Sequence, residues 1–138
     1  GINRDVLLEQ EETLLLDYQS KTSINLARIL LQHHWQCNPR VVQAQPGYLQ
    51  AIKGTTAGVV IGDRAFLQKK QSKYEYDLAE AWKKMTGLPF VFAAWVANKE
   101  LPEGFIDAFN KANEWGLSHL TEVVAANPYP HTDLLEYY

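Results

Sequence analysis

Ser20, Thr22 and Ser23 place three hydroxyl groups within four positions, in the stretch "DYQSKTSINL". They lie between an apolar run, Leu14 to Leu16, and a segment in which Leu26, Ala27, Leu30 and Leu31 recur at helical spacing. The cluster therefore sits where a strand would turn into a helix. The first N–H groups of a helix have no intrahelical acceptor, and with the positive end of the dipole they favour a carboxylate or a phosphate. Hydroxyl donors would strengthen such a site. One Ser or Thr is enough for an N-cap, however, so the cluster reads either as a cap with two solvated neighbours or as an anion site. No Gly-rich phosphate loop accompanies it, which disfavours a nucleotide and leaves a small carboxylate as the better match.

A second apolar run, "AGVVIGD", closes on Gly62 and Asp63. Asp63 is suited either to accept a hydrogen bond from a ligand hydroxyl or to cap a helix beginning near Arg64. Asn98 and Lys99 follow a third run, "LPFVFAAWVANK". His33 and His34 are adjacent, so on a helix they point about 100° apart and cannot form the i, i+4 pair that binds a metal. His119 and His131 are isolated, and no metal or cofactor site is expected. Trp82, Phe90, Phe92 and Trp95 read as core rather than as a stacking platform.

The elements that must position these residues follow from local pattern. "LLLDY" suits a buried parallel strand, and the next segment a helix reaching to Trp35. "NPR" breaks that helix and "VVQAQ" is a weaker strand. "PGYLQAIKG" fits a short helix ending at Gly54, and "AGVVIGD" is a further strand. "LQKKQSKYEYD" reads as a polar connection, "LAEAWKKMTG" as a helix stopping at Gly87, and "LPFVFAAWVANK" as an aromatic strand opened by Pro89. The remainder is helical, with a break expected at Gly116. Strand, helix, strand, helix, strand predicts an α/β fold, a three-layer sheet of mostly parallel strands flanked by helices. In such a sheet ligands bind beyond the carboxyl ends of the strands, where the hydroxyl cluster and Gly62–Asp63 lie.

The 138 residues suit one domain, 1–138, with 46% hydrophobic and 21% charged residues. A net charge of −3 argues against nucleic acid or an anionic membrane surface as partner, so any anion must be held locally. Cys37 is the single cysteine, which excludes an internal disulfide and fits a reducing cytoplasm. No apolar run approaches the ~20 residues of a membrane span, and the first residues do not resemble a signal peptide. The last residues, "HTDLLEYY", stop inside a helical pattern, which hints at a piece of something longer.

"DYQSKTSINL", "VVIGDRAF", "YEYDLAEAWKKMTGLPFVFAAWV" and "GLSHLTEV", in this order, resemble the chorismate dehydratase family of the futalosine route to menaquinone. The match covers nearly all of this chain and about half of the family's usual length. The resemblance implies one lobe of a two-lobed, periplasmic-binding-protein-like fold, with substrate between the lobes. It resembles the central lobe, without the Ser-Tyr-Leu-Asn motif that the family carries near its N-terminus. The activity implied is loss of water from chorismate to give 3-enolpyruvylbenzoate, with no cofactor and no metal, and the chain by itself is expected to be inactive. In that light Thr22, Ser23 and the helix N-terminus clamp a substrate carboxylate beside Ser20, while Asp63 faces a ring hydroxyl. A sister enzyme of similar fold carries a general-base His where this chain has Gly62, so that chemistry has no candidate here. The resemblance names no catalytic base. The alternative is a non-catalytic lobe of a solute-binding or ligand-sensing protein that holds a small acid, and a homodimer through an exposed cleft face is compatible with either.

Overall fold

A computed structural model describes residues 2–4, 12–130 and 132–137. His131 lies outside the described residues. The chain divides into two compact units, Gly1–Phe92 and Ala93–Tyr138.

The first unit is α/β. Its strands are β1 (Ile2–Arg4), β2 (Thr13–Leu16), β3 (Arg40–Gln43), β4 (Thr56–Val59) and β5 (Tyr74–Tyr76); its helices are α1 (Lys21–His33), α2 (Asp63–Lys69) and α3 (Leu78–Thr86). A 3-10 turn, Tyr48–Ala51, stands where the short helix before Gly54 was expected. The described strands form one sheet in the order β3-β2-β4-β1-β5. β2 pairs in parallel with β3 on one side and β4 on the other. β1 runs antiparallel to both β4 and β5, so four strands share a direction and β1 opposes them.

The interior position of β2, between β3 and β4, explains its sequence. Leu14 and Leu16 are buried on one face and Leu15 packs on the other, as a strand covered on both sides requires. On the first face α1 lays down Leu26, Ala27, Leu30 and Leu31, and α3 adds Leu78 and Ala81. Each fully buried Leu contributes about 1.5–3 kcal/mol relative to exposure. On the second face the 3-10 turn sets Tyr48 and Ile52 against Ala44 and Val60, with Ala65 of α2 beside them. Gly58 of β4 allows this, because a Cβ there would collide with the Ile52 side chain and touch the Tyr48 ring. The three-layer α/β architecture expected from sequence is the one observed.

Two segments differ from expectation. The stretch read as a polar connection holds the last turn of α2 and the edge strand β5, whose alternating Tyr74 and Tyr76 pair with the short β1. "LPFVFAAWVANK" has strand propensity but joins no sheet among the described residues. A β-strand is stabilised by ladder bonds and cross-strand side chains, so propensity without a neighbouring edge does not make one. The expectation that its aromatic residues are core fails accordingly: Trp95 is 82% and Phe92 46% exposed, while Trp82 and Phe90 do pack against the first core.

The second unit is helical: α4 (Phe105–Ser118), α5 (Leu120–Ala126) and α6 (Leu134–Tyr137). Trp95 meets Phe109 edge-on at 5.3 Å, and Phe105 stacks on Phe109. The helical break falls at His119 rather than Gly116. A helical Gly costs about 1 kcal/mol but does not end a helix. Here the Ser118 hydroxyl donates to the Trp115 carbonyl, and His119 Nδ1 lies 2.7 Å from the same oxygen. These side chains compete for the last turn. Among the described residues no helix is long and apolar enough to cross a membrane.

Candidate functional site

β2 is followed by α1 on one face of the sheet, and the adjacent parallel strand β4 by α2 on the other. Connections that diverge from neighbouring carboxyl ends open a crevice between them, the usual ligand position in such sheets. One lip is Asp17–Ser23 and the other Val60–Arg64.

On the first lip Ser20 is the N-cap of α1: it is extended (φ −123°, ψ 110°), and its Oγ accepts a hydrogen bond from the Ser23 N–H at 3.0 Å. The other two hydroxyls have no such duty. Thr22 is exposed and its Oγ1 makes no hydrogen bond among the described residues. Ser23 is only 8% exposed, yet its Oγ also finds no partner among them. A buried hydroxyl without a partner costs about 1–3 kcal/mol and calls for a reason. The first turn of α1 moreover holds no acidic residue and begins with Lys21. That choice opposes the helix dipole but favours an arriving anion.

On the second lip the cap of α2 is Gly62, at φ 60° and ψ −156°. This region is essentially restricted to glycine, so a side chain such as imidazole at 62 would strain the turn. Asp63 occupies the first turn of α2 and makes no side-chain cap bond; its exposed carboxylate is uncommitted among the described residues.

Sequence reasoning missed the residues that join the lips. Asp17, fully buried at the end of β2, accepts hydrogen bonds at Oδ1 from the Gln19 N–H (2.8 Å) and at Oδ2 from the Tyr48 hydroxyl (2.8 Å). Arg64 Nη2 forms an ion pair with the same Oδ2 at 2.8 Å and donates to Gln19 Oε1 at 2.8 Å. The guanidinium also stands over the Tyr18 ring, 5.3 Å from its centroid. Tyr48 comes from below the sheet, and its single hydroxyl proton faces two acceptors, Asp17 and the Val59 carbonyl at 2.6 Å. Burial, then the hydrogen bond to Asp17, holds this phenol protonated well above the usual tyrosine range. Gln43 Nε2 donates to the Leu16 and Asp17 carbonyls, fixing the start of the first lip. Both quoted motifs contained a partner of this ion pair, since Asp17 opens "DYQSKTS" and Arg64 ends "IGDR". No local spacing relates residues 47 positions apart.

The structure thus latches the two lips through Asp17 and Arg64, although no contact joins Asp63 to the hydroxyls among the described residues. A separate surface groove of about 470 Å³, lined by Arg28, Gln32, Gln36 and Pro39 among others, lies at the opposite end of the sheet. His33 is exposed and His34 rests against Trp35, and among the described residues no three His, Cys, Asp or Glu side chains group to hold a metal.

Comparison with known proteins adds to this geometry. The family model described as menaquinone biosynthesis matches residues 3–132. A chorismate dehydratase of Thermus thermophilus is 30% identical over 145 residues, covering 89% of this chain and 53% of that enzyme. The chain therefore spans about half the length of that relative. With a match across nearly its whole length, the chain belongs to the menaquinone biosynthesis family.

Proposed function

We propose that the chain is the central lobe of a chorismate dehydratase, a carbon–oxygen lyase acting in the cytoplasm on the futalosine route to menaquinone. The similarity to the Thermus enzyme supports the substrate, and Ser23 carries the reading at the site. Its buried hydroxyl, unpartnered among the described residues, stands at a helix N-terminus that begins with a lysine, which is what recognition of a substrate carboxylate needs.

The reaction removes a proton from one ring carbon of chorismate and expels hydroxide from its neighbour, leaving 3-enolpyruvylbenzoate and water. Aromatisation supplies the driving force. The protein's task is to orient a dianion and to stabilise the departing oxygen. Ser20 holds the α1 terminus in shape, and Thr22 and Ser23 donate to a carboxylate. Gly62 sets the second turn, so that Asp63 accepts a hydrogen bond from the ring hydroxyl. No cofactor or metal enters. We place 1–138 in one lobe, with the second lobe closing over the substrate and excluding water.

Incubating chorismate with this chain, and with a two-lobed protein that contains it, tests the reading. The benzoate product should form only with the latter. If the two-lobed protein binds chorismate and returns it unchanged, the lobe is a binding module instead.

A further inference from the structure

Arg64 is held on one side only. Both of its hydrogen bonds, to Asp17 and to Gln19, use Nη2, and among the described residues Nε and Nη1 have no partner. Its side chain remains 28% exposed, against 0% for Asp17. A guanidinium offers five N–H donors in a rigid plane, and one whose Nη2 is held by Asp17 and Gln19 presents its Nε–H and Nη1 donors without further loss of rotamer freedom. The Tyr18 ring beneath it restricts it further.

We propose that Arg64 is a carboxylate-recognition residue of the crevice, with Asp17 and Gln19 as its positioning residues. The proposal deepens the functional reading above and rests on it for the identity of the ligand. A dicarboxylate such as chorismate then has two receptors on opposite lips: the Thr22–Ser23 hydroxyls at the α1 terminus for one carboxylate, and the free Nε–H and Nη1 donors of Arg64 for the other. Asp63, one residue earlier, provides an acceptor for a hydroxyl and repels a carboxylate. The second lip would therefore select a hydroxylated diacid over a plain one. The Asp17 charge does not cancel the site. It engages Nη2, and the Nε–H and Nη1 donors are left to reach a carboxylate through single charge-assisted bonds.

The test follows the Arg64 Nε–H resonance of the full chain by NMR during titration with chorismate and, separately, with benzoate. Chorismate should shift it saturably. Arg64→Gln should weaken chorismate binding at least tenfold, and Arg64→Lys, which restores the charge without the fork, should recover part of the loss. The amide spectra of both variants report whether the fold is kept. In Asp17→Asn, Nε relaxation should show a more mobile Arg64 and affinity should fall several-fold. If chorismate shifts the Thr22 and Ser23 amides while Arg64 stays still and Arg64→Gln binds normally, the inference is overturned and the functional reading stands. If benzoate moves Arg64 but chorismate does not bind, the carboxylate site stands and the functional reading falls. If neither probe moves Arg64, the inference is wrong.

Discussion

Replacing Arg64 by Met should destabilise the chain more than replacing Asp17 by Asn, although the two residues share one ion pair. The asymmetry comes from burial: the Asp17 side chain is fully enclosed, whereas 28% of the Arg64 side chain is exposed. Removing Arg64 leaves a carboxylate that keeps the Gln19 N–H and the Tyr48 hydroxyl but has lost its cation. Breaking a fully buried pair costs about 3–5 kcal/mol. Water reaching the exposed Arg64 side lowers the expectation to about 2–3 kcal/mol, near the cost of a lost hydrogen bond to a charged group. Asp17→Asn removes the charge instead. The Asn oxygen can still accept from Gln19, Tyr48 can give its proton to the Val59 carbonyl, and Arg64 can turn to solvent, for a cost of about 1 kcal/mol. The double variant should then resemble Asp17→Asn alone, with a coupling energy of about 2–3 kcal/mol. Urea unfolding followed by tryptophan fluorescence on the four proteins measures each quantity. A coupling below about 0.5 kcal/mol would refute the latch, because the two lips would then be held independently.

The remaining expectations concern single positions. Ser20→Ala should cost about 1 kcal/mol of stability through loss of the α1 cap, whereas Ser23→Ala should leave stability equal or higher while weakening carboxylate binding; thermal melts and ligand titrations on the same variants check the contrast. Tyr48 titrates above the usual tyrosine range when folded, so its stabilising contribution is complete below the unfolded value of about 10 and lost as pH rises beyond it. Above about pH 10 the wild-type chain should therefore lose up to about 1.4 kcal/mol per pH unit relative to Tyr48→Phe in denaturant melts, and parallel curves would contradict this. In a two-lobed protein, Asp63→Asn should lower turnover modestly and Asp63→Ala more, with stability falling by no more than about 0.3–1 kcal/mol, because Asp63 faces the α2 dipole but Gly62 is the cap. Normal turnover in the alanine variant would remove Asp63 from the site.

The sequence by itself determined the parts whose physics is local. Leu14–Leu16 is apolar without alternation, which means a strand buried on both faces, and the Leu26, Ala27, Leu30, Leu31 stripe with Ser20 before it means a capped helix. Gly87, at φ 77°, ended α3 as its position after the helix foretold. Tertiary structure alone decided what depends on a neighbour. β1 and β5 are three residues each and exist because they pair with their neighbours in the sheet, while Pro89–Val96 has better strand composition and pairs with no strand among the described residues. The same holds at the site. Which of the three hydroxyls is the cap depends on one backbone turn, and Asp17 meets Arg64 only because β2 and β4 lie side by side in parallel, which brings their carboxyl ends to one edge. A propensity is a property of a segment, but an ion pair across 47 residues is a property of strand order, and strand order is set by how the two faces of the sheet are covered.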